Sequence, residues 1–180
     1  AGFMGNERIA TPHLDALAGR GTVFTQAYAN AGNCAPTRAC LLSGQYPPRH
    51  GVYTVGSPAR GQLRHRRLIP APNTTELAPE IVTLAEVFQS AGYATAHFGK
   101  WHLGAAKGPH SPQAQGFDRN VGGSERGHPK SYFSPYDNPA LPDGPPGEHL
   151  TDRLTGEALH FMEANRDRPF FIYLPYYAVH

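Results

Sequence analysis

"TLAEVFQSAGYATAHF", residues 83–98, carries the clearest local pattern in the chain. Thr83 followed by Glu86 makes a capping box, in which hydroxyl and carboxylate satisfy free N–H groups at a helix start. Leu84, Val87, Phe88 and Ala91 recur at helical spacing, and Gly92 suits the exit. "YATAHF" then reads as a strand. Helix, glycine and strand in direct succession predict an α/β architecture with a largely parallel sheet.

Outward from this unit the alternation continues. Thr11 can cap a helix with Pro12 at its first position, with Leu14, Leu17 and Ala18 on one face and Gly21 at the exit. "TVFTQAYA", residues 22–29, then reads as a strand. A further helix is expected from near Pro36 toward Gly44, carrying Ala39, Leu41 and Leu42. Leu150, Leu154, Ala158, Phe161 and Met162 mark another amphipathic helix, and "FFIYL" after Pro169 reads as a buried strand. Residues 105–149 hold seven Gly and eight Pro, and long irregular stretches of this kind often carry function. Tyr132, Phe133 and Tyr136 lie inside it.

With 39% hydrophobic and 17% charged residues the chain is neither a disordered tail nor a membrane protein. It holds no apolar run long enough for a transmembrane helix. A net charge of +2 is too mild to suggest nucleic acid. The exception is the basic run Arg60, Arg64, His65, Arg66 and Arg67, read either as a solvated loop or as a patch receiving an anionic substrate. The 180-residue chain starts without Met and stops just after an apolar run, so both ends read as cut from a larger domain.

Cys34 and Cys40 are the only cysteines. On one helix, six residues place them roughly 9 Å apart along the axis, beyond a disulfide's usual span. With Pro36 in the first turn, Cys34 is expected just ahead of a helix N-terminus, where free N–H groups favour an anion. Arg38 could turn back toward the same place. The second cluster is "HFGKWHLG", residues 97–104, after a predicted strand and so at a ligand-binding end of the sheet. If extended, Lys100 and His102 point the same way, pairing a fixed cation with a proton-transfer group. His180 follows the last strand and carries little meaning alone.

These segments together carry a resemblance. "CAPTR" with "ACLLSGQYPPRHG" resembles the sulfatase signature C-x-P-x-R, and "GYATAHFGKWHLG" is similar to the second signature of the family. "IATPHLDALAGRGTVFTQAYA" and "PFFIYLPYYAVH" match in order and spacing. Ser43 and Gln45 are small departures, where Thr and a basic residue are common.

The resemblance implies a partial alkaline-phosphatase-like sulfatase sandwich, with residues 1–180 as the N-terminal portion of the catalytic domain and 105–149 as a long Gly/Pro-rich insertion. It implies sulfuric ester hydrolysis of the arylsulfatase type, on a sulfated carbohydrate or another sulfate ester. A formylglycine made from Cys34 by a maturation enzyme would be the nucleophile, and a hydrated aldehyde can expel sulfate where a plain cysteine or serine ester cannot. Arg38 would hold its charge, Lys100 would clamp sulfate, His102 would hydrogen-bond the hydrate or help expel sulfate, and His180 would face the leaving oxygen as a sulfate-binding residue and candidate acid. The implied metal is calcium, an oxygen-seeking ion, of whose ligands Cys34 alone lies in this chain, so the 180 residues by themselves are expected to be inactive. The implied compartment is exported or lysosomal. Two other readings stand beside this: a phosphoryl-transfer relative, and a non-catalytic truncated homologue.

Overall fold

Ala94–Phe98 form β1, the central strand of a three-stranded parallel sheet ordered β2-β1-β3. A computed structural model describes residues 1–59 and 61–180. β2 (Arg119–Val121) pairs with β1 so that Ala96 stands opposite Arg119. β3 (Phe170–Tyr173) pairs on the other side, with Ala94 opposite Phe170. Parallel neighbours need long crossovers. Residues 99–118 supply the first, and the second contains a long helix at Leu150–Ala164.

The two-residue period of β1 divides the core. Ala94, Ala96 and Phe98 pack with Leu150, Leu154, Ala158 and Phe161 of that long helix. On the opposite face His97 meets the edges of Trp101 and Phe117. Trp101 and Phe117 pack with Ala35, Ala39 and Leu42, and with Ala85. These come from two more helices, and among the described residues the α-helices, numbered in chain order, are α1 (Pro12–Arg20), α2 (Cys34–Ser43), α3 (Pro47–His50), α4 (Leu84–Ser90) and α5 (Leu150–Ala164). The expected capping box is present: Glu86 N donates to Thr83 Oγ1 at 3.2 Å and Thr83 N to Glu86 Oε2 at 2.7 Å.

The structure corrects several expectations. Residues 22–29 form no strand; Val23, Phe24 and Tyr28 are exposed, because no described strand lies beside them to complete a ladder. Leu14 and Leu17 of α1 are exposed as well, lining an open groove with Phe3, Met4 and Phe24. On α4 the deeply buried residue is Ala85, while Leu84 and Val87 face outward and Phe88 stacks on Phe171. β3 is an edge of the described sheet and only partly buried. The Gly/Pro-rich stretch also contributes β2, which three residues reading Arg-Asn-Val give no periodic signal to find.

Candidate active site

Two element ends meet at the site: the start of α2 and the turn after β1. Cys34 is the first residue of α2, not a residue ahead of it, and Asn33 is the cap. Thr37 Oγ1 donates to the Ala31 carbonyl at 2.7 Å, fixing the approach to the helix. Pro36 is buried within the first turn, where its missing N–H costs no bond.

The turn after β1 is not extended. Gly99 has φ 110° and His102 φ 61°, so the chain bends twice within "GKWH". A Cβ on Gly99 would lie 2.3 Å from the Pro175 carbonyl oxygen, which makes glycine obligatory there. The bend is held by backbone bonds from Gly99 N to Val121 O, Lys100 N to Pro175 O and His102 N to Ser124 O, each 2.8 Å. Trp101 is fully buried and its indole N–H donates to the His110 carbonyl at 2.9 Å. The tight turn, rather than alternation along a strand, sends Lys100 and His102 to one place.

At that place Cys34 Sγ lies 3.3 Å from His102 Nδ1. Lys100 is 2% exposed. Burial lowers its pKa, the Cys34 sulfur beside it opposes that, and the Arg38 guanidinium adds to the lowering. Arg38 Nη1 donates to the Lys100 carbonyl at 2.8 Å and to the Tyr173 hydroxyl at 3.2 Å. Its Nε is buried with no hydrogen-bond partner among the described residues. His102 is pushed down to about 4, first by burial, then by Lys100, Arg38, His180 and His128. It is therefore neutral near pH 7. A cavity of about 320 Å³ opens over Cys34 and Arg38, lined also by Thr37, Tyr173 and Pro175, while His102 lines a separate cavity of about 260 Å³ with Ala35 and Glu125.

His180 stands to one side. Its backbone N–H donates to the Tyr132 hydroxyl at 3.2 Å, and that hydroxyl donates to the Tyr177 carbonyl at 2.9 Å. A cavity of about 360 Å³ lies between His180, Val179, Tyr132 and His149, and Tyr132 stacks on His149 at 5.8 Å. The structure thus joins Cys34, Arg38, Lys100 and His102 directly, and joins His180 to them only through its electrostatic effect on His102.

Sequence reasoning gave no role to Tyr173, which holds Arg38, to Tyr132, noted only as lying in the Gly/Pro-rich stretch, which holds the His180 backbone, or to His97, noted only within the second cluster. Period-2 alternation in "FFIY" could have put Tyr173 at a functional strand end; nothing local marks the others. His97 is 0% exposed, and its Nδ1 lies 3.1 Å from Asn120 Oδ1. Asn120 Oδ1 also accepts from Gly123 N, so Nδ1 is the protonated nitrogen and Nε2 is left unpartnered.

Cys40 is a free thiol like Cys34 and faces the other way, 3.3 Å from His50 Nε2. His50 Nδ1 accepts from Val52 N, so Nε2 carries the proton toward the sulfur. In the basic run, Arg66 donates to the carbonyls of Ala59 and Gly61 and Arg64 to His65; Arg60 lies outside the described residues.

The Sulfatase family profile matches residues 1–180. The chain belongs to the sulfatase family. It is 34% identical over 203 residues to the N-acetylgalactosamine-6-sulfatase of Mus musculus, covering 99% of this chain and 37% of that protein. Against the steryl-sulfatase of Mus musculus it is 41% identical over 126 residues, covering 67% of this chain and 19% of the other. A crystal structure of Ps i-CgsB in complex with k-i-k-neocarrahexaose superposes with a TM-score of 0.76 at 28% identity, covering 99% of this chain and 42% of that one. The chain thus spans less than half the length of each of these three proteins. The α/β sheet flanked by helices is the fold that this structural neighbour shares.

Among the described residues no group of three or more His, Cys, Asp or Glu could hold a metal ion. The groups around Cys34 are nitrogen donors, two of them cationic, whereas calcium takes oxygen ligands. The described residues around Cys34 therefore do not hold a calcium ion by themselves. No described helix is long and apolar enough to cross a membrane.

Proposed function

We propose that residues 1–180 are the N-terminal portion of a catalytic domain that releases sulfate from a sulfated carbohydrate, using a formylglycine made from Cys34. The observation that carries this is the meeting of Cys34 with a buried lysine, a buried-edge arginine and a neutral histidine. Fixed positive charge in a site shielded from water stabilises the developing charge of sulfuryl transfer without reorganisation.

An aldehyde at residue 34 supplies, as its hydrate, an attacking oxygen and a second hydroxyl through which sulfate is expelled. Lys100 and the unpartnered Nε of Arg38 are the donors offered to sulfate oxygens. His102, neutral with Nδ1 3.3 Å from the residue-34 side chain, holds or accepts its proton. His180, at the rim, faces the alcohol side. Pro36 is buried and Cys34 is helical, so a maturation enzyme reading Cys-x-Pro-x-Arg acts before α2 packs.

A carbohydrate is favoured over a sterol by the rim. Tyr132, His149 and the exposed Phe133 make an aromatic face beside His180, and aromatic faces with polar edges suit sugar rings. The names of the N-acetylgalactosamine-6-sulfatase and of the neocarrahexaose complex support the same class, while steryl-sulfatase is the contrary relative. A phosphoryl-transfer enzyme would carry Ser or Thr in place of Cys34.

The test uses the full-length protein containing this chain. Mass spectrometry of the residue-34 peptide should find the lighter aldehyde form, and Cys34→Ala should abolish sulfate release while leaving circular dichroism unchanged. Retained turnover in that variant would overturn the reading. Intact cysteine with no sulfate release would make this a non-catalytic homologue.

A further inference from the structure

The loop after β2 places three basic side chains at the edge of the sulfate site. Arg126, His128 and Lys130 fall within five residues and line a cavity of about 260 Å³. The loop is pressed onto His102: Ser124 O accepts from His102 N at 2.8 Å, and a Cβ on Gly127 would meet the imidazole Cε1 at 2.5 Å. His128 contributes to holding His102 neutral, which puts its charge within electrostatic reach of the site.

The two permanent cations are drawn together. Asp137, at φ 48°, accepts from Arg126 Nη1 with its carbonyl and pairs with Lys130 through its carboxylate. Left-handed backbone is uncommon outside glycine, though Asp tolerates it better than most residues. Here it turns both oxygens of one residue toward the two bases. One carboxylate against two cations leaves the cluster positive. Arg126 spends one of its five N–H donors on that carbonyl, and the Lys130–Asp137 pair is exposed on both sides and therefore weakly held. Glu125, the acid next in sequence, lines a different cavity together with His102 itself, Glu76 and Thr54.

We propose that Arg126, His128 and Lys130 form a second anion subsite, so that the preferred substrate is a saccharide carrying another sulfate or a carboxylate beside the sulfate to be removed. The proposal rests on the sulfatase reading above and names its substrate more narrowly. Cations on one loop at the site's edge attract a multiply charged sugar and fix which sulfate reaches Cys34.

The experiment uses the full-length protein in a Cys34→Ala background, where no sulfate is turned over and binding is read alone. Calorimetry compares a disulfated disaccharide, its monosulfated counterpart and a monosulfated disaccharide bearing a uronate. The expected result is about tenfold tighter binding of one or both dianionic sugars, as two partly exposed charge contacts allow. Arg126→Ala with Lys130→Ala should shrink that preference to within about twofold. Should the double variant fail to fold, Lys130→Met at its exposed side chain should still lower the preference about threefold. Equal affinities for all three sugars, or a preference that survives the variants, would overturn the subsite. Turnover of the same sugars by the unsubstituted protein tests the underlying reading separately. No sulfate release from any of them defeats the sulfatase assignment, whatever the calorimetry shows.

Discussion

His97 offers a sharp test of the packing behind the site. It is 0% exposed, enclosed by Trp101, Phe117 and Tyr173, and burial lowers its pKa from 6.5 to about 4. Between those two values the unfolded chain binds more protons than the folded one, so stability falls as pH falls through that window. The full shift of 2.5 units is worth about 3 kcal/mol, reached only below pH ~4. Between pH 7 and pH 5 the same linkage gives a loss of about 2 kcal/mol. His97→Leu removes the titrating group and its unpartnered Nε2. It leaves Asn120 Oδ1 its bond from Gly123 N. Urea unfolding of the two proteins at pH 7 and pH 5 reads the difference. The unsubstituted protein should lose about 2 kcal/mol more over that interval than His97→Leu, with His102 adding a loss common to both. Equal losses in the two proteins would refute the argument, because they would mean that His97 titrates as freely in the fold as outside it.

Two further outcomes follow from the geometry. Lys100→Ala in the full-length protein should lower kcat for sulfate release by roughly 10²–10³, the usual cost of losing one preorganised donor, with unfolding midpoints little changed; an unaltered kcat would remove Lys100 from the site. Leu154→Ala should cost about 2–5 kcal/mol in urea unfolding, since Leu154 is 0% exposed in the α5 core and lies beneath Gly99 and Gly122, and a loss under 1 kcal/mol would show that the core there collapses to fill the space.

The stretch around β1 was legible because its signals are local. A capping box and a glycine turn before a strand are each set by neighbours within four residues, and the structure reproduces them between Thr83 and Phe98, while the apolar repeat located the helix but not its buried face. Residues 22–29 failed for the opposite reason. Their alternation asks for burial, but a strand exists only if another backbone stands alongside, and no sequence window contains its partner. β2 shows the same dependence in reverse, since Arg-Asn-Val has no pattern and is a strand because β1 is beside it.

The site divides along the same line. Residue types at the start of α2 and in "GKWH" could be read from the chain, and so could their nearness to a sheet end. Their orientation could not. Lys100 and His102 converge because Gly99 and His102 take positive φ, and those angles are held by backbone bonds to the carbonyls of Val121, Pro175 and Ser124, the farthest running from Lys100 N to Pro175 O. Tyr173 holds Arg38 across 135 positions and Tyr132 holds His180 across 48. If these distant contacts set the orientation of the site, then Tyr173→Phe is the informative probe. It deletes one hydroxyl, leaves Arg38 its bond to the Lys100 carbonyl, and should lower kcat for sulfate release only as far as Arg38 swings. Arg38→Lys removes the planar guanidinium, whose Nη1 reaches both partners while Nε stays unpartnered, and should lower kcat for sulfate release much more.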